Sequence, residues 1–571
     1  MVPGMEPPAS ADPVQSLLLR SGIAALLLCA LAAVTIRHTV PNTLIDYYFF
    51  HQDVWLLGGA GLMLCALSRF DFGSRPLAPK TGILITAVIG TAVFAYVGSF
   101  VVMERYALSR DEVLAEFAAE HFGHGLLARA VPNGFRSLAD AMMPWAEART
   151  ANGYWTSRYL PVNSLFRAGA GLLGDRALAG PLLLAAGCWG LFAAARRIWP
   201  DRRDAATIVI LLALTSTQLV ATAMTAYAMT AHFALNAIWL AFYLRRDPLG
   251  HAVAIAIGLL ATGLHQFQFH VLFVSGFIVW DFASGRWRTA SIYLVACFGY
   301  LVAWDIGYWR LLVDGMFGAA PLGDEPARPF GLARLLYYAG RIGDLQPISS
   351  LVRFAAWQNI LLLPLASVGA FSLRDAEDRP TIMVACAVSC TVGLLSMIYQ
   401  GHGYGYRYLH GLIPCFCLLA AGGWVRLSAM RGRPMPAALL WVGCGFALAF
   451  TAPVALTLSH AFLHPYAAAY RVLRKAPADV VLVDGRGGAF IEDLVRIDGP
   501  IARPILLDLS FVPLRDLRRL CATSRVMIFD EVQARPLGIR PRGDAGKYER
   551  HLVMSRALLA RLRCGLPVPI G

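Results

Sequence analysis

Long apolar blocks dominate this sequence and restrict the folds open to it. Residues 21–36, 81–103 and 205–221 are clear examples, each close to the roughly 20 residues that cross a bilayer as a helix. A helix satisfies its own backbone hydrogen bonds in lipid, so such runs are typical of transmembrane helices. The chain is 57% hydrophobic and only 15% charged, whereas soluble domains are about 25% charged. The sequence therefore predicts a mostly α, polytopic transmembrane helical bundle.

The positions of the apolar blocks and basic loops predict the topology. Short loops rich in Arg and Lys fall on one side of the membrane, which the positive-inside rule makes cytoplasmic together with the N-terminus. The segments 104–177, 309–349 and 400–408, and everything after about residue 457, then lie outside. We predict about thirteen spans, near residues 16–36, 53–68, 81–103, 178–195, 205–222, 226–244, 251–264, 270–284, 289–308, 350–373, 381–399, 409–425 and 437–456.

The C-terminal region differs from the rest of the chain in its pattern of apolar and polar residues. Three short apolar runs, at 480–485, 504–510 and 525–531, alternate with helical patterns. This alternation is typical of a small α/β layer with a parallel sheet. We therefore predict a transmembrane domain over residues 1–456, with the outer loop 104–177, and an extracytoplasmic α/β domain over 457–571.

Charge and cysteine content exclude some classes of function. The net charge of +14 is explained by cytoplasmic loops and by attraction to anionic membrane lipids, and no motif indicates nucleic-acid binding. Nine of the eleven cysteines lie in apolar blocks without the partners of a metal site. Cys521 and Cys564 lie in the polar C-terminal region, where an oxidising compartment would allow a disulfide between them.

An acidic pair, Asp111 and Glu112, follows the third predicted span at the water boundary. The pair opens an amphipathic stretch, 113–122, which we expect to lie along the membrane surface. The same outer loop returns to the next span through an aromatic and basic segment. Surface charge alone is the alternative interpretation of the pair. The loop's candidate substrate-binding residues are Arg110, Arg158 and Tyr159.

A many-span protein with an Asp-Glu pair in its first large outer loop resembles the GT-C superfamily of glycosyltransferases, which use polyprenyl-phosphate-linked sugars. The resemblance implies that Asp111 is the general base toward the acceptor hydroxyl, with Glu112 as the second candidate, and that the anomeric carbon is inverted. It also implies a bacterial inner-membrane location with the site facing the periplasm. The expected partners are a polyprenyl-phosphate-linked sugar donor and a glycan, lipid or protein acceptor. In the family the pair usually follows the first span, whereas here it follows the third, so either two extra N-terminal helices or a divergent subgroup is expected.

Two further outer segments carry polar side chains that suit a phosphate or sugar. The 400–410 loop combines three glycines with Arg and His, and glycine allows a ligand to approach the backbone closely. An interfacial belt of aromatic residues with an extended Arg is the alternative. Between spans seven and eight, polar side chains cluster at a depth where they are often functional, and Tyr227 and His232 can join the same cavity. The candidate substrate-binding residues in these segments are His265, His270, His402, Tyr406, Arg407 and His410.

The residues leave other functions open. An O-antigen ligase or polymerase-like transferase also has many spans and uses outer-loop Arg and His residues. A lipid-linked-sugar transporter or flippase is the non-enzyme alternative, although transporters often have internal repeats and mid-span charges, and no repeat is visible here. No metal site and no cofactor is predicted, and a requirement for a divalent cation stays open.

Overall fold

The computed structural model describes residues 12–39, 48–77, 79–143, 147–149, 152–318, 347–371, 382–397, 400, 402–485, 488–539 and 549–570. Most of this part of the chain is helical. Wider π-helical turns at Phe49–Asp53, Val302–Asp314 and Ala447–Thr451 continue neighbouring helices. The α-helices of ten or more residues span Pro13–Thr39, Val54–Leu67, Thr81–Val101, Arg110–Gly123, Val162–Leu172, Ala179–Ile198, Arg203–Leu214, Met229–Tyr243, Pro248–Thr262, Gln268–Ala283, Trp287–Leu301, Pro347–Ala356, Leu362–Phe371, Ile382–Leu395, Ile413–Met430, Ala437–Phe446, Ala452–Arg474, Leu514–Thr523 and Glu549–Leu562.

Seven helices in the described part of the chain are long and apolar enough to cross a membrane. The predicted span near 205–222 is broken, because Arg203–Leu214 and Thr217–Ala223 meet at an angle of 58°, and this pair would make eight. Four further apolar helices are shorter than a bilayer, and the count of about thirteen spans stays a prediction. The seven are Pro13–Ile36, Phe49–Leu67, Thr81–Val101, Arg176–Ile198, Trp287–Phe317, Arg407–Met430 and Ala437–Arg474.

The Thr81–Val101 helix shows the exposure expected of a lipid-facing span. Ile85, Ile89 and Val93 recur every four residues along one face and are 55%, 57% and 56% exposed. Ala95 on the other side of the helix is fully buried against the bundle. An exposed apolar stripe of this kind would promote aggregation in water, whereas contact with lipid hydrocarbon stabilises it.

The last span runs farther than its apolar block. Helix continues from Ala437 through Arg474, although the predicted span ends at 456. Pro465 lies inside this helix and does not end it. The predicted domain boundary at 456/457 therefore falls within a continuous helix that carries the chain out to the C-terminal region.

The C-terminal region contains a four-stranded parallel sheet, with three strands inside the segments predicted to be strands. In spatial order the strands are Ile505–Asp508, Val480–Val483, Val526–Phe529 and Leu566–Pro567. Val480–Val483 pairs on both sides and is buried at every position, as expected for the central strand of a covered parallel sheet. A disulfide joins Cys521 and Cys564, the pair considered from the sequence.

The amphipathic stretch of the outer loop forms the Arg110–Gly123 helix, but its apolar face does not lie along the membrane. Leu114 and Phe117 are 1% and 4% exposed and pack into a core shared with strand residues Val480 and Leu507. The expected membrane-surface position is wrong for these side chains, because the C-terminal sheet buries them instead. The catalytic candidates of the loop are thereby held against the C-terminal region.

A small antiparallel sheet, which was not predicted, supports the returning part of the same loop. Its central strand, Tyr154–Ser157, pairs with Arg129–Ala130 and with Glu147–Arg149. Trp155 in the central strand is fully buried. The strand ends two residues before Tyr159 and fixes where that side chain enters the site.

Candidate active site

The first turn of the Arg110–Gly123 helix sets the positions of the two acids. Ser109 and Glu112 form a capping box, in which Glu112 Oε2 accepts hydrogen bonds from Ser109 N at 3.3 Å and Ser109 Oγ at 3.4 Å. Asp111 is one residue earlier in the same turn and points elsewhere. Both acids lie near the positive end of the helix dipole, which favours carboxylates.

Asp111 is the meeting point of three outer segments. Its Oδ1 accepts a hydrogen bond from the Tyr159 hydroxyl, and its Oδ2 accepts one from the Arg407 guanidinium. The Arg407 side chain is only 12% exposed. The Tyr159 ring lies 4.1 Å, centroid to centroid, from the His265 ring. We call Asp111, Tyr159, His265 and Arg407 the Asp111 site.

The 400–410 loop holds Arg407 by its backbone as well as by its side chain. Gln400 Oε1 accepts a hydrogen bond from Arg407 N at 2.6 Å, while Gln400 Nε2 donates to the carbonyls of His402 and Gly405 at 3.1 and 3.2 Å. Gly405 has φ +72°, and a Cβ there would lie 2.4 Å from Gln218 Oε1. Glycine is therefore required at this position for the loop to pack against Gln218.

A buried ion pair anchors the same loop from behind. Arg353 Nε donates to Asp53 Oδ2 at 2.7 Å, and Arg353 NH1 donates to the carbonyl of Gln400 at 3.3 Å. Both charged side chains are nearly inaccessible, at 5% and 1% exposed. Removing one partner of such a pair leaves an uncompensated buried charge, so the pair fixes the loop firmly.

Asp111 and Glu112 differ in pKa because their surroundings differ. Burial tends to raise the pKa of Asp111, but Arg407 and the Tyr159 hydrogen bond lower it to about 2. Burial raises the pKa of Glu112 to about 7, despite backbone hydrogen bonds from Ser109 and Ala226. Asp111 is thus a carboxylate at neutral pH, whereas Glu112 is near the midpoint of its titration.

His265 is a neutral imidazole at neutral pH, because burial lowers its pKa to about 4. Neither of its ring nitrogens has a hydrogen-bond partner among the described residues. Buried polar atoms are usually paired, so an unpaired imidazole beside a carboxylate is suited to a bound ligand.

The other candidate histidines and Tyr406 contact residues of the helical bundle and not Asp111. His402 Nδ1 is 3.1 Å from the Tyr227 hydroxyl. The Arg407 guanidinium carbon in turn lies over the Tyr227 ring, 4.8 Å from its centroid. The others bind bundle side chains or backbone and are fully buried. His270 pairs with Asn236, His410 with Gln218 and Thr222, and the backbone of Tyr406 with the Gln218 side chain.

Two arginines predicted to contact substrate lie outside the cluster. Arg110 donates to Asp493 Oδ1 from Nε at 3.2 Å and from NH2 at 3.1 Å, so it binds the loop helix to the C-terminal region. Arg158 is exposed to solvent one residue away from Tyr159. Both Arg158 and Tyr159 lie in the bend that follows the Tyr154–Ser157 strand, and it is the Tyr159 hydroxyl that reaches Asp111.

A second contact ties the C-terminal region to the chain just before Asp111. Arg496 NH1 donates to the carbonyl of Ala107 at 2.7 Å, and its guanidinium lies 4.3 Å from the Tyr106 ring centroid. Arg496 is 6% exposed. The segment 104–110 is therefore clamped between the last helix and the C-terminal region.

Two cavities of very different size flank the Arg110–Gly123 helix. The cavity that Asp111, Tyr159 and His265 line is about 10 Å³, which is room for one water molecule. On the other face a cleft of about 750 Å³ is lined by Glu112, together with paired arginines and acids, and does not include Asp111. The Asp111 carboxylate lines the small cavity, whereas the large cleft is of a size suited to a bulky ligand.

Solved structures of ArnT from Cupriavidus metallidurans are similar to this chain. The structure in the apo state matches with a TM-score of 0.45 and 13% sequence identity, over 86% of this chain and 90% of that chain. The structure bound to undecaprenyl phosphate matches with a TM-score of 0.44 and 14% identity, over the same shares of the two chains. No family model and no curated protein matches the sequence.

Several residues that build the site were not singled out from the sequence. Gln218, Gln358 and Thr222 form a polar network with His410 inside the bundle. Gln218 lies within the apolar block 205–221, and a polar amide at that depth was the available signal. Among the described residues, one group places three potential metal-ligating atoms within 4.8 Å of one another, namely Glu104, His460 and His464.

Proposed function

We propose that the chain is a GT-C-type membrane glycosyltransferase that transfers a sugar from a polyprenyl-phosphate donor to a periplasmic or cell-envelope acceptor. The observation that carries this function is the partly buried contact between Asp111 and Arg407, because it brings together the two charges that such a transfer needs. A carboxylate can accept the proton of an acceptor hydroxyl. An Arg can bind the phosphate that leaves.

The step proceeds by displacement at the anomeric carbon. The acceptor oxygen forms a bond to that carbon, and its proton passes to Asp111. The bond between the carbon and the phosphate oxygen breaks, and the lipid phosphate leaves with the bonding electrons toward Arg407. Attack opposite the leaving group inverts the anomeric centre.

Substrate binding must first separate Asp111 from Arg407. The cavity beside Asp111 is too small for a sugar, and Arg407 Nε has no hydrogen-bond partner among the described residues. A donor phosphate that attracts Arg407 removes the cation that lowers the pKa of Asp111. The carboxylate then becomes a stronger base only when the donor is bound, which couples base strength to donor binding.

The basic loops and the C-terminal disulfide support one orientation of the chain in the membrane. A disulfide persists in an oxidising compartment such as the bacterial periplasm. The C-terminal region contacts the 104–123 segment through Arg110 and Arg496. We therefore propose that the Asp111 site is on the periplasmic face of the inner membrane, where the lipid-linked donor and the acceptor would meet it.

The test uses the full chain purified into lipid nanodiscs. Polyprenyl-phosphate donors carrying different labelled sugars are supplied with envelope lipids and glycans as acceptors. We expect labelled acceptor and an equal amount of free polyprenyl phosphate, and NMR of the product should show an inverted anomeric centre. Movement of labelled donor across vesicle bilayers without any transfer would instead support a flippase and overturn the proposal.

The pH dependence of kcat/KM distinguishes Asp111 from Glu112 as the base, because it reports the pKa values of the free enzyme. With its pKa near 2, Asp111 stays ionised across the working range, so we expect no acid limb between about pH 5 and about pH 8. If Glu112 is the base, kcat/KM falls about tenfold per unit below about pH 7. A steady-state series over this range decides between them, with thermal unfolding at each pH as the control for folding.

A further inference from the structure

A turn after the Thr81–Val101 helix carries an acid to the last helix of the bundle. Glu104 and Arg105 have φ of 48° and 51°, values that non-glycine residues rarely adopt. Glu104 Oε1 lies 2.5 Å from His464 Nδ1 and 3.8 Å from His460 Nδ1. The two histidines are four residues apart in the Ala452–Arg474 helix and share one face.

The donor set suits a transition-metal ion. Two imidazoles and one carboxylate are the ligands of many zinc sites, at bond lengths near 2.0–2.2 Å. Tetrahedral ligands at such distances are about 3.4 Å apart, so both Glu104 contacts are within about 1 Å of that spacing. The ligand atoms of all three side chains lie within 4.8 Å of one another.

The surroundings support ligation. Arg471 donates to the other carboxylate oxygen, Glu104 Oε2, at 2.7 Å, which keeps the acid ionised and leaves Oε1 toward the histidines. His460 Nδ1 also lies 3.0 Å from the carbonyl of Val102, and ligation through this nitrogen would replace that hydrogen bond. The His460 and His464 side chains are 41% and 54% exposed, so an ion can enter from water and keep water ligands.

We propose that Glu104, His460 and His464 bind one divalent transition-metal ion of the Zn²⁺ class at the rim of the 750 Å³ cleft. The site is distinct from the Asp111 site and does not depend on the proposed transfer reaction. The ion would join the turn that leads to Asp111 to the helix that leads to the C-terminal region. It replaces the hydrogen bond between Glu104 and His464, which is the contact that holds the group together without metal.

The test measures metal binding by the full chain without an affinity tag. Protein is stripped with chelator, and Co²⁺ and Zn²⁺ are titrated alone, with visible absorption of bound Co²⁺ and calorimetry as readouts. We expect one ion per chain, and we expect His464→Ala and His460→Ala each to weaken binding by about tenfold or more. Bound Zn²⁺ should raise the melting temperature of the unsubstituted protein but not of these variants.

The matched control is His124→Ala, since His124 is an exposed histidine on the same outer loop whose Nδ1 contacts a backbone carbonyl. It should bind metal as the unsubstituted protein does. Glu104→Gln keeps the shape of the acid and tests the carboxylate separately. Equal binding by the unsubstituted protein and His464→Ala, or equal loss in His124→Ala, would show that the group is only a hydrogen-bonded cluster with Arg471.

Discussion

Replacing Asp111 by Asn is expected to lower kcat/KM for sugar transfer by about a hundredfold to ten-thousandfold, the range that general-base catalysis contributes. Asn has the same shape and still accepts hydrogen bonds through its side-chain oxygen, but it cannot take the acceptor proton. The loss should therefore appear in kcat more than in KM. Initial rates at saturating donor report the effect on kcat, and donor binding measured without acceptor reports the effect on substrate affinity.

Asp175 offers a matched control on the same outer loop. Its carboxylate also accepts hydrogen bonds from a tyrosine hydroxyl, Tyr96, and from an arginine, Arg105, but it does not line the Asp111 cavity. Asp175→Asn removes the same kind of ion pair and should leave kcat within about threefold, since none of these side chains lines the cavity at Asp111. Transfer by Asp111→Asn at the rate of Asp175→Asn would rule out Asp111 as the base and favour a ligase-like mechanism without a loop acid.

The local features of the fold are readable from the sequence because each depends on neighbouring residues. A run such as 81–103 specifies a membrane helix by its own composition, and the buried strand Val480–Val483 is a continuous apolar run bounded by a turn. The acidic pair is visible for the same reason, since it lies in the first polar segment after such a run. These signals need no knowledge of distant partners.

The sequence does not specify which part of the protein, or the membrane, packs against the apolar face of an amphipathic helix. The apolar stripe of the Arg110–Gly123 helix fits a membrane surface and a protein core equally well, and only the position of the C-terminal sheet decides for the core. The contact between Asp111 and Arg407 spans 296 residues of chain. Placing both on the outer side predicted that they could meet, whereas the choice of Tyr159 over Arg158 depends on the bend that follows one short strand.

The group of Glu104, His460 and His464 could not be predicted from the sequence for the same reason. Glu104 and His464 are 360 residues apart, and neither has a local motif that marks it. The group forms because the last helix continues past its apolar block to Arg474, which carries His460 and His464 to the level of the turn after Thr81–Val101. Amphipathic polar helix beyond a span gives little sequence signal of its own.

Replacing Arg407 by Ala is expected to have the second large effect, on both transfer and stability. Loss of the cation at the departing phosphate should lower kcat/KM by about a hundredfold to a thousandfold. The variant also leaves the partly buried Asp111 carboxylate without its cation, which should cost less unfolding free energy than the roughly 3–5 kcal/mol lost when one partner of a fully buried pair is removed. Arg407→Lys keeps the charge but not the planar two-point contact, so it should restore stability more fully than transfer.

The pH profile of the Arg407→Ala variant distinguishes a role in the chemistry from a purely structural one. Removing a cation raises the pKa of a neighbouring carboxylate, so the base form of Asp111 is lost on acidification at a higher pH than in the unsubstituted protein. An acid limb in kcat/KM should therefore appear in Arg407→Ala within the range where the unsubstituted protein shows none. Arg246→Ala is the control, because Arg246 also pairs with a buried acid, Asp281, and lies over a tyrosine ring, 4.2 Å from the Tyr243 centroid. If Arg407→Ala loses activity with no new acid limb, Arg407 supports the fold of the loop but does not set the base strength of Asp111.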